Sequence, residues 1–133
     1  MARQHFAAVI GCAVLAVSLL AAVSYAIPSI NEGDIEKCMS AYNRNVDHRK
    51  SFIVCRPLAE QGVSLAQNAL GEMYMYGKGI PQDYNEAAKW FRLAAEQGHR
   101  RAQFLLGVLY WSGDGVPQDY VEAVKWFRLA DKP

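Results

Sequence analysis

Two stretches of this sequence repeat one another and decide the fold. Residues 66–94 read AQNALGEMYMYGKGIPQDYNEAAKWFRLA, and residues 102–130 read AQFLLGVLYWSGDGVPQDYVEAVKWFRLA. At a shift of 36 residues, 19 of the 29 aligned positions are identical. A fixed period of this length is typical of repeat architectures, in which each unit is one supersecondary structure that stacks on its neighbours.

Each unit predicts two helices joined by a glycine-rich turn. Apolar residues recur at helical spacing in the first helix (Ala66, Ala69, Leu70, Met73, Tyr74) and in the second (Ala87, Trp90, Phe91, Ala94). The first helix is predicted to start with a capping box of Ser64 and Gln67 and to end at Gly77. The second is predicted to start with a box of Asp83 and Glu86.

Gly71 and Gly107 recur at the same phase inside the first helices, where glycine costs about 1 kcal/mol relative to alanine. We therefore expect a neighbouring helix to approach the backbone closely at both positions.

A less regular hairpin is predicted for residues 27–63. Residues 56–62 match residues 92–98 at five of seven positions. Upstream, apolar residues keep helical spacing after Asp34, which is the predicted cap. A second helix is expected over residues 48–61, with a kink or local break at Pro57 because proline removes one backbone hydrogen bond.

The pattern from Ala66 through Leu70-Gly71, Tyr74, Gly77 and the Gly79-Ile80-Pro81-Gln82-Asp83-Tyr84 turn to Trp90 and Gly98 resembles a Sel-1-like repeat, a relative of the tetratricopeptide repeat. The resemblance implies an all-α fold, a short right-handed solenoid of antiparallel helix hairpins. Residues 64–99 and 100–133 would be two repeats, and residues 27–63 a degenerate first hairpin. The family consists mainly of scaffolds and adaptors, many of them in bacterial envelopes.

The N-terminus predicts export. A charged start is followed by an unbroken apolar run over residues 6–23 and by Ser24-Tyr25-Ala26, which is typical of a signal peptide spanning residues 1–26. The long run leaves two alternatives, an uncleaved membrane anchor over residues 6–23 and a lipoprotein attached at Cys12. All three place the folded part outside the cytoplasm, so the protein is expected to be periplasmic, secreted or anchored in the inner membrane.

Two cysteines remain after residue 26, an even number for an oxidising compartment. The resemblance places Cys38 and Cys55 at facing positions of the first hairpin, so a structural disulfide is expected. The alternative is a redox pair, but no Cys-x-x-Cys spacing accompanies them.

Composition and motifs favour a protein without catalysis. Thirteen basic and thirteen acidic residues follow residue 26, so no basic face for nucleic acid or acidic lipid is implied. The sequence lacks the spacings of a metal site, a nucleophile elbow or a phosphate-binding loop. We expect no catalytic, cofactor-binding or metal-binding residues.

A protein partner is predicted to bind the first helices of the repeats. In residues 102–111 the apolar core stripe leaves a second stripe of Phe104, Val108 and Trp111. The resemblance implies that this face lines a concave groove, flanked by Glu72, Met75 and Tyr76 of the preceding unit. The alternative for these residues is packing against neighbouring helices.

No polar helix follows the last apolar helix, so Trp126 and Phe127 are expected to be partly exposed or covered by a partner or a second copy. The function predicted from the sequence is therefore a non-enzymatic interaction or adaptor module of the bacterial envelope. The alternatives are a structural subunit of a larger envelope complex and, through cysteine-rich relatives, a hydrolase.

Overall fold

The computed structural model describes residues 29–44 and 47–133, and the signal segment predicted for residues 1–26 lies outside this part of the chain. The described residues contain six α-helices and no strand. They are α1 (Glu32–Asn43), α2 (His48–Glu60), α3 (Ser64–Tyr76), α4 (Tyr84–Glu96), α5 (Arg100–Ser112) and α6 (Tyr120–Asp131).

Consecutive helices pair into three antiparallel hairpins, and the hairpins stack in chain order. The first helices, α1, α3 and α5, are here called A helices, and α2, α4 and α6 are called B helices. Each B helix packs against the A helix that follows it, and neighbouring A helices also touch. This arrangement is a short α-solenoid, so the predicted fold class is confirmed.

The aspartate caps predicted for the B helices are confirmed, but the capping box is not. The carboxylate of Asp83 accepts hydrogen bonds from the backbone amides of Asn85 and Glu86, which satisfies donors that have no partner within the helix. Asp119 does the same for α6. Glu86 does not complete a capping box, because its carboxylate pairs with Lys89.

Two predicted starts of A helices were wrong. Asn31 caps α1 through its side chain, while Asp34 lies in the first turn and pairs with Lys37. At α3, Ser64 is already inside the helix, one residue too late to cap it. The Gln67 side chain instead donates to the carbonyl of Ala59 and accepts from Gln97, which ties α3 to both flanking B helices.

The glycines inside the A helices mark close helix contacts, as predicted. A methyl group at Gly71 would lie 2.5 Å from the ring of Phe91, and one at Gly107 would lie 2.7 Å from the ring of Phe127. In each repeat, therefore, the B-helix phenylalanine rests directly on the backbone of its A helix.

The glycine-rich turns fix how successive units stack. Gly115 has a φ of 70°, and a side chain there would collide with the Tyr84 backbone at the start of the preceding B helix. Gly79 meets the backbone of His48 in the same way. Each turn is thus seated on the B helix of the unit before it.

The first hairpin is held by a disulfide between Cys38 and Cys55, as predicted. Both cysteines are buried in a core cluster shared with Leu58, Leu70 and Met73. Closing a loop of this size stabilises a fold by roughly 3 kcal/mol in the chain-entropy model. The predicted break at Pro57 does not occur, since α2 runs through it to Glu60.

Candidate partner-binding surface

The six residues predicted to line one groove fall into two groups, three on α3 and three on α5. Met75 is half-buried against the core formed by α4 and α5, and Glu72 is buried at the contact of the A helices. Tyr76 is exposed beneath the ammonium group of Lys78, which also lies over the ring of Tyr42.

The carboxylate of Glu72 joins all three A helices. It accepts hydrogen bonds from the Tyr42 hydroxyl on α1, from Asn68 within α3 at 2.9 Å, and from the guanidinium of Arg101 on α5. Glu72 is 3% exposed, whereas the Arg101 side chain is 63% exposed. Glu72 itself is therefore closed to a binding partner, whereas the Arg101 side chain that it binds is accessible from outside.

Charge and burial compete at Glu72. Burial raises the pKa of its carboxyl, but hydrogen bonds from Arg101, Tyr42 and Asn68 together outweigh burial and hold the pKa below the usual value. Burial, and then the hydrogen bond to Glu72, raise the pKa of the Tyr42 hydroxyl. The site is thus a neutral tyrosine and a charged ion pair.

The remaining predicted residues lie at the C-terminal end of the stack. Phe104 and Trp111 are 52% and 53% exposed, and Val108 between them is half-buried. Phe104 meets Phe127 of α6 with ring centroids 5.5 Å apart, and Trp111 meets Tyr120 at 4.8 Å. We call this surface the end face; it consists of Phe104, Val108, Trp111, Tyr120, Val124 and Phe127.

In the preceding repeat, the face that corresponds to the end face is covered. Subtracting the period of 36 from the end-face residues gives Asn68, Glu72, Met75, Tyr84, Ala88 and Phe91. Every one of these is buried or half-buried beside α5. No helix among the described residues takes the corresponding place over α5 and α6.

The end face is also bulkier and more apolar than the face it corresponds to. Where the two repeats differ, Phe104 stands for Asn68, Val108 for Glu72, Trp111 for Met75 and Val124 for Ala88. Each of these changes replaces a polar or smaller side chain by a more apolar or larger one.

The two aromatic residues expected to be exposed at the last helix differ in their surroundings. Both are half-buried. Trp126 packs against the core between α4 and α5, away from the end face. Phe127 covers Gly107 with one side of its ring and lines the end face with the other.

Charged residues border one edge of the end face. Beside Phe104 and Phe127 is an open cavity of about 510 Å³, lined also by Arg100, Arg101 and Asp131. Arg100 donates through Nε to the carbonyl of Ala130 at 3.1 Å. Within residues 29–44 and 47–133, neither Arg100 nor Asp131 has an ion-pair partner.

Comparison with known proteins identifies the repeats. The family model described as Sel1 repeat matches residues 64–99 and 100–130. The chain belongs to the Sel1 repeat family. Proteins built from Sel1 repeats are generally protein-interaction modules. None of the curated proteins matches the chain.

Solved Sel1-type structures share the fold. A Sel1 repeat protein from Oxalobacter formigenes superposes with a TM-score of 0.69 at 33% identity, over 75% of this chain and 39% of its own length. A protective antigen present in uropathogenic Escherichia coli strains, displaying an SLR fold, gives 0.65 at 38% identity, over 77% and 25%. The Helicobacter pylori cysteine rich protein B gives 0.66 at 24% identity, over 85% and 86%.

The described part of this Sel1 protein contains no group of three His, Cys, Asp or Glu side chains placed to hold a metal ion. None of its helices combines the length and the apolar character needed to cross a bilayer.

Arg100 and Arg101 at the border of the end face were not predicted from the sequence. Tyr120, Val124 and Asp131 were missed as well. The signal that would have found them is the shift by one period, which maps each onto a residue at the interface with the next hairpin.

Proposed function

We propose that this Sel1 protein is a non-enzymatic interaction module of the bacterial cell envelope that binds a protein or peptide partner with its end face. One observation carries the proposal. In the first repeat these positions are covered by α5. In the second repeat the corresponding positions are exposed or half-buried, and they bear larger apolar side chains, including Phe104 and Trp111. Aromatic residues of this kind, with arginine at the border, dominate the binding energy of protein interfaces.

Binding would need no chemical step. The end face is formed by two helices that are already packed on each other through Phe127 and Gly107. A preformed surface loses little conformational entropy when a partner covers it, and this lowers the cost of association. Because Glu72 holds the guanidinium of Arg101 in place, one cation at the border is positioned before the partner arrives.

The envelope location is supported by the N-terminal segment and by the disulfide of the first hairpin. Residues 6–23 are apolar and precede a small-residue motif, which favours export with cleavage after Ala26. The Cys38–Cys55 disulfide is typical of an oxidising compartment. The first residue of the protein isolated from the producing cell tests this, since Ile27 supports cleavage and Met1 supports an anchor over residues 6–23.

A structural subunit of a larger envelope complex is the second candidate. The chain spans 39% and 25% of the lengths of the Oxalobacter and Escherichia coli relatives. The same end face would serve, with a permanent neighbour in place of an exchangeable one.

The test is a double variant, Phe104→Ala with Trp111→Ala, compared with Ile53→Ala with Leu93→Ala. Both pairs remove two exposed apolar side chains, but only the first pair lies on the end face. Tagged protein captured from the envelope fraction should lose its co-purified partner, including any untagged copy, only in the first variant. Helical circular dichroism should be unchanged in both. Retention of the partner, or its loss in both variants, would refute the proposal.

A further inference from the structure

We propose that the partner covering the end face is a second copy of this chain, joined face to face about a two-fold axis. The inference rests on the proposed function and names its partner. The residues of the end face follow a definite order along the two helices. Arg100 lies beside Ala130 and Asp131 at one end, Phe104 beside Phe127 in the middle, and Trp111 beside Tyr120 at the other end.

This order makes the face self-complementary. A two-fold axis running between α5 and α6, parallel to both, would lay each α5 on α6 of the second copy. Arg100 would then face Asp131 of the second copy, Phe104 would face Phe127, and Trp111 would face Tyr120, each pair occurring twice. The two charges that lack an ion-pair partner within the described chain would neutralise one another.

Another orientation of the axis fits less well. An axis perpendicular to α5 and α6 would bring Arg100 and Asp131 to the level of Trp111 and Tyr120. Both charges would then be desolvated against aromatic rings without an ionic partner, which is costly.

Head-to-tail stacking is disfavoured by the other end of the solenoid. The face of α5 that packs on α4 is apolar, with Ala102, Leu105, Leu106 and Leu109. At the other end of the stack, the first two turns of α1 expose charged residues, Glu32, Glu36 and Lys37. Asp34 and Lys37 form an ion pair at 3.4 Å, which an aromatic end face would have to desolvate.

Continuation by a further A helix in the position that α5 takes is disfavoured as well. Asn68 and Ala88 leave room for α5 beside the preceding hairpin, and the larger Phe104 and Val124 occupy that room in the last repeat. The Phe104 and Phe127 rings meet across it. These larger side chains leave less space for a further helix than Asn68 and Ala88 leave for α5.

The test is sedimentation of the protein as isolated from its producing cell, over concentrations up to roughly 1 mM. We expect a reversible dimer. Arg100→Asp and Asp131→Arg should each weaken it about tenfold or more, because like charges then face each other twice. The two changes combined in one chain should restore it. Mixing the two single variants should also give a heterodimer, since every facing pair is then opposite in charge.

Several results would overturn the inference. They are a monomer throughout the range, a dimer indifferent to either charge reversal, and single variants that neither the combined variant nor mixing rescues. If the wild type is monomeric but its envelope partner is still lost in the Phe104 and Trp111 double variant, the proposed function stands and the second copy is excluded. If the wild type is monomeric and the double variant keeps its envelope partner, the proposed function and the second copy are both wrong.

Discussion

Among the described residues, Glu72 is the only charged side chain that is buried, and its three partners come from all three A helices. Two of them, Tyr42 and Arg101, lie about thirty residues away in sequence, on either side. Nothing in the local sequence around Glu72 predicts this arrangement. The residue was predicted to flank a groove because its phase on α3 is right, but its environment is decided by helices that periodicity alone does not position.

Replacement of Glu72 by glutamine should destabilise the fold by about 1–3 kcal/mol at neutral pH, because buried hydrogen bonds to a charged acceptor are lost. The matched control is Glu86→Gln, which removes an exposed ion pair with Lys89 and should cost less than about 1 kcal/mol. Urea unfolding measures both.

The effect of Glu72→Gln should depend on pH. The pKa of Glu72 in the folded protein lies below its usual 4.5. The ionised form therefore contributes stability that is present above pH 4.5 and is lost as the pH falls through the folded pKa. The difference in unfolding free energy between wild type and variant should shrink in acid. A difference that stays constant with pH would rule out this role.

At the scale of single helices, the B helices were predicted better than the A helices. The starts of α4 and α6 depend on Asp83 and Asp119, whose side chains bond amides two and three residues ahead, so the signal is local. The start of α3 has no side-chain cap, and Gln67 bonds residues 8 and 30 positions away. Contacts of that kind become visible only when the hairpins are stacked.

The glycines of α3 and α5 should respond differently to alanine, although their sequence contexts match. A methyl group at Gly71 would press on Phe91, which is fully buried and cannot move aside. At Gly107 it would press mainly on Phe127, which is half-exposed at the end face and has room to shift, and it would also lie 3.2 Å from the carbonyl oxygen of Ala123.

Gly71→Ala should therefore cost about 1–3 kcal/mol through overpacking. Gly107→Ala should cost less, because Phe127 can shift away from the methyl group; in both variants the better helix propensity of alanine offsets about 1 kcal/mol. Thermal unfolding of the two variants gives the comparison directly. Equal destabilisation would show that Phe127 is as confined as Phe91, and that the end face is not open in solution.

At the scale of the whole molecule, repeat number and position decide what each residue does. The 36-residue period predicted the solenoid because every unit buries the same stripes. It could not distinguish Glu72 and Met75, which α5 covers, from Val108 and Trp111, which no described helix covers. Of the two binding surfaces predicted from the sequence, the groove along the A helices and the end of the last hairpin, we propose the second.

The central claim, that the end face is a binding surface in the cell, is tested most directly by photo-crosslinking from position 111. A photoreactive phenylalanine analogue replaces Trp111 in the producing cell, and the same analogue at Leu93, which is also exposed, is the control. We predict a discrete covalent adduct from position 111 and none from position 93. Absence of an adduct at position 111, or equal adducts at both positions, would contradict the claim.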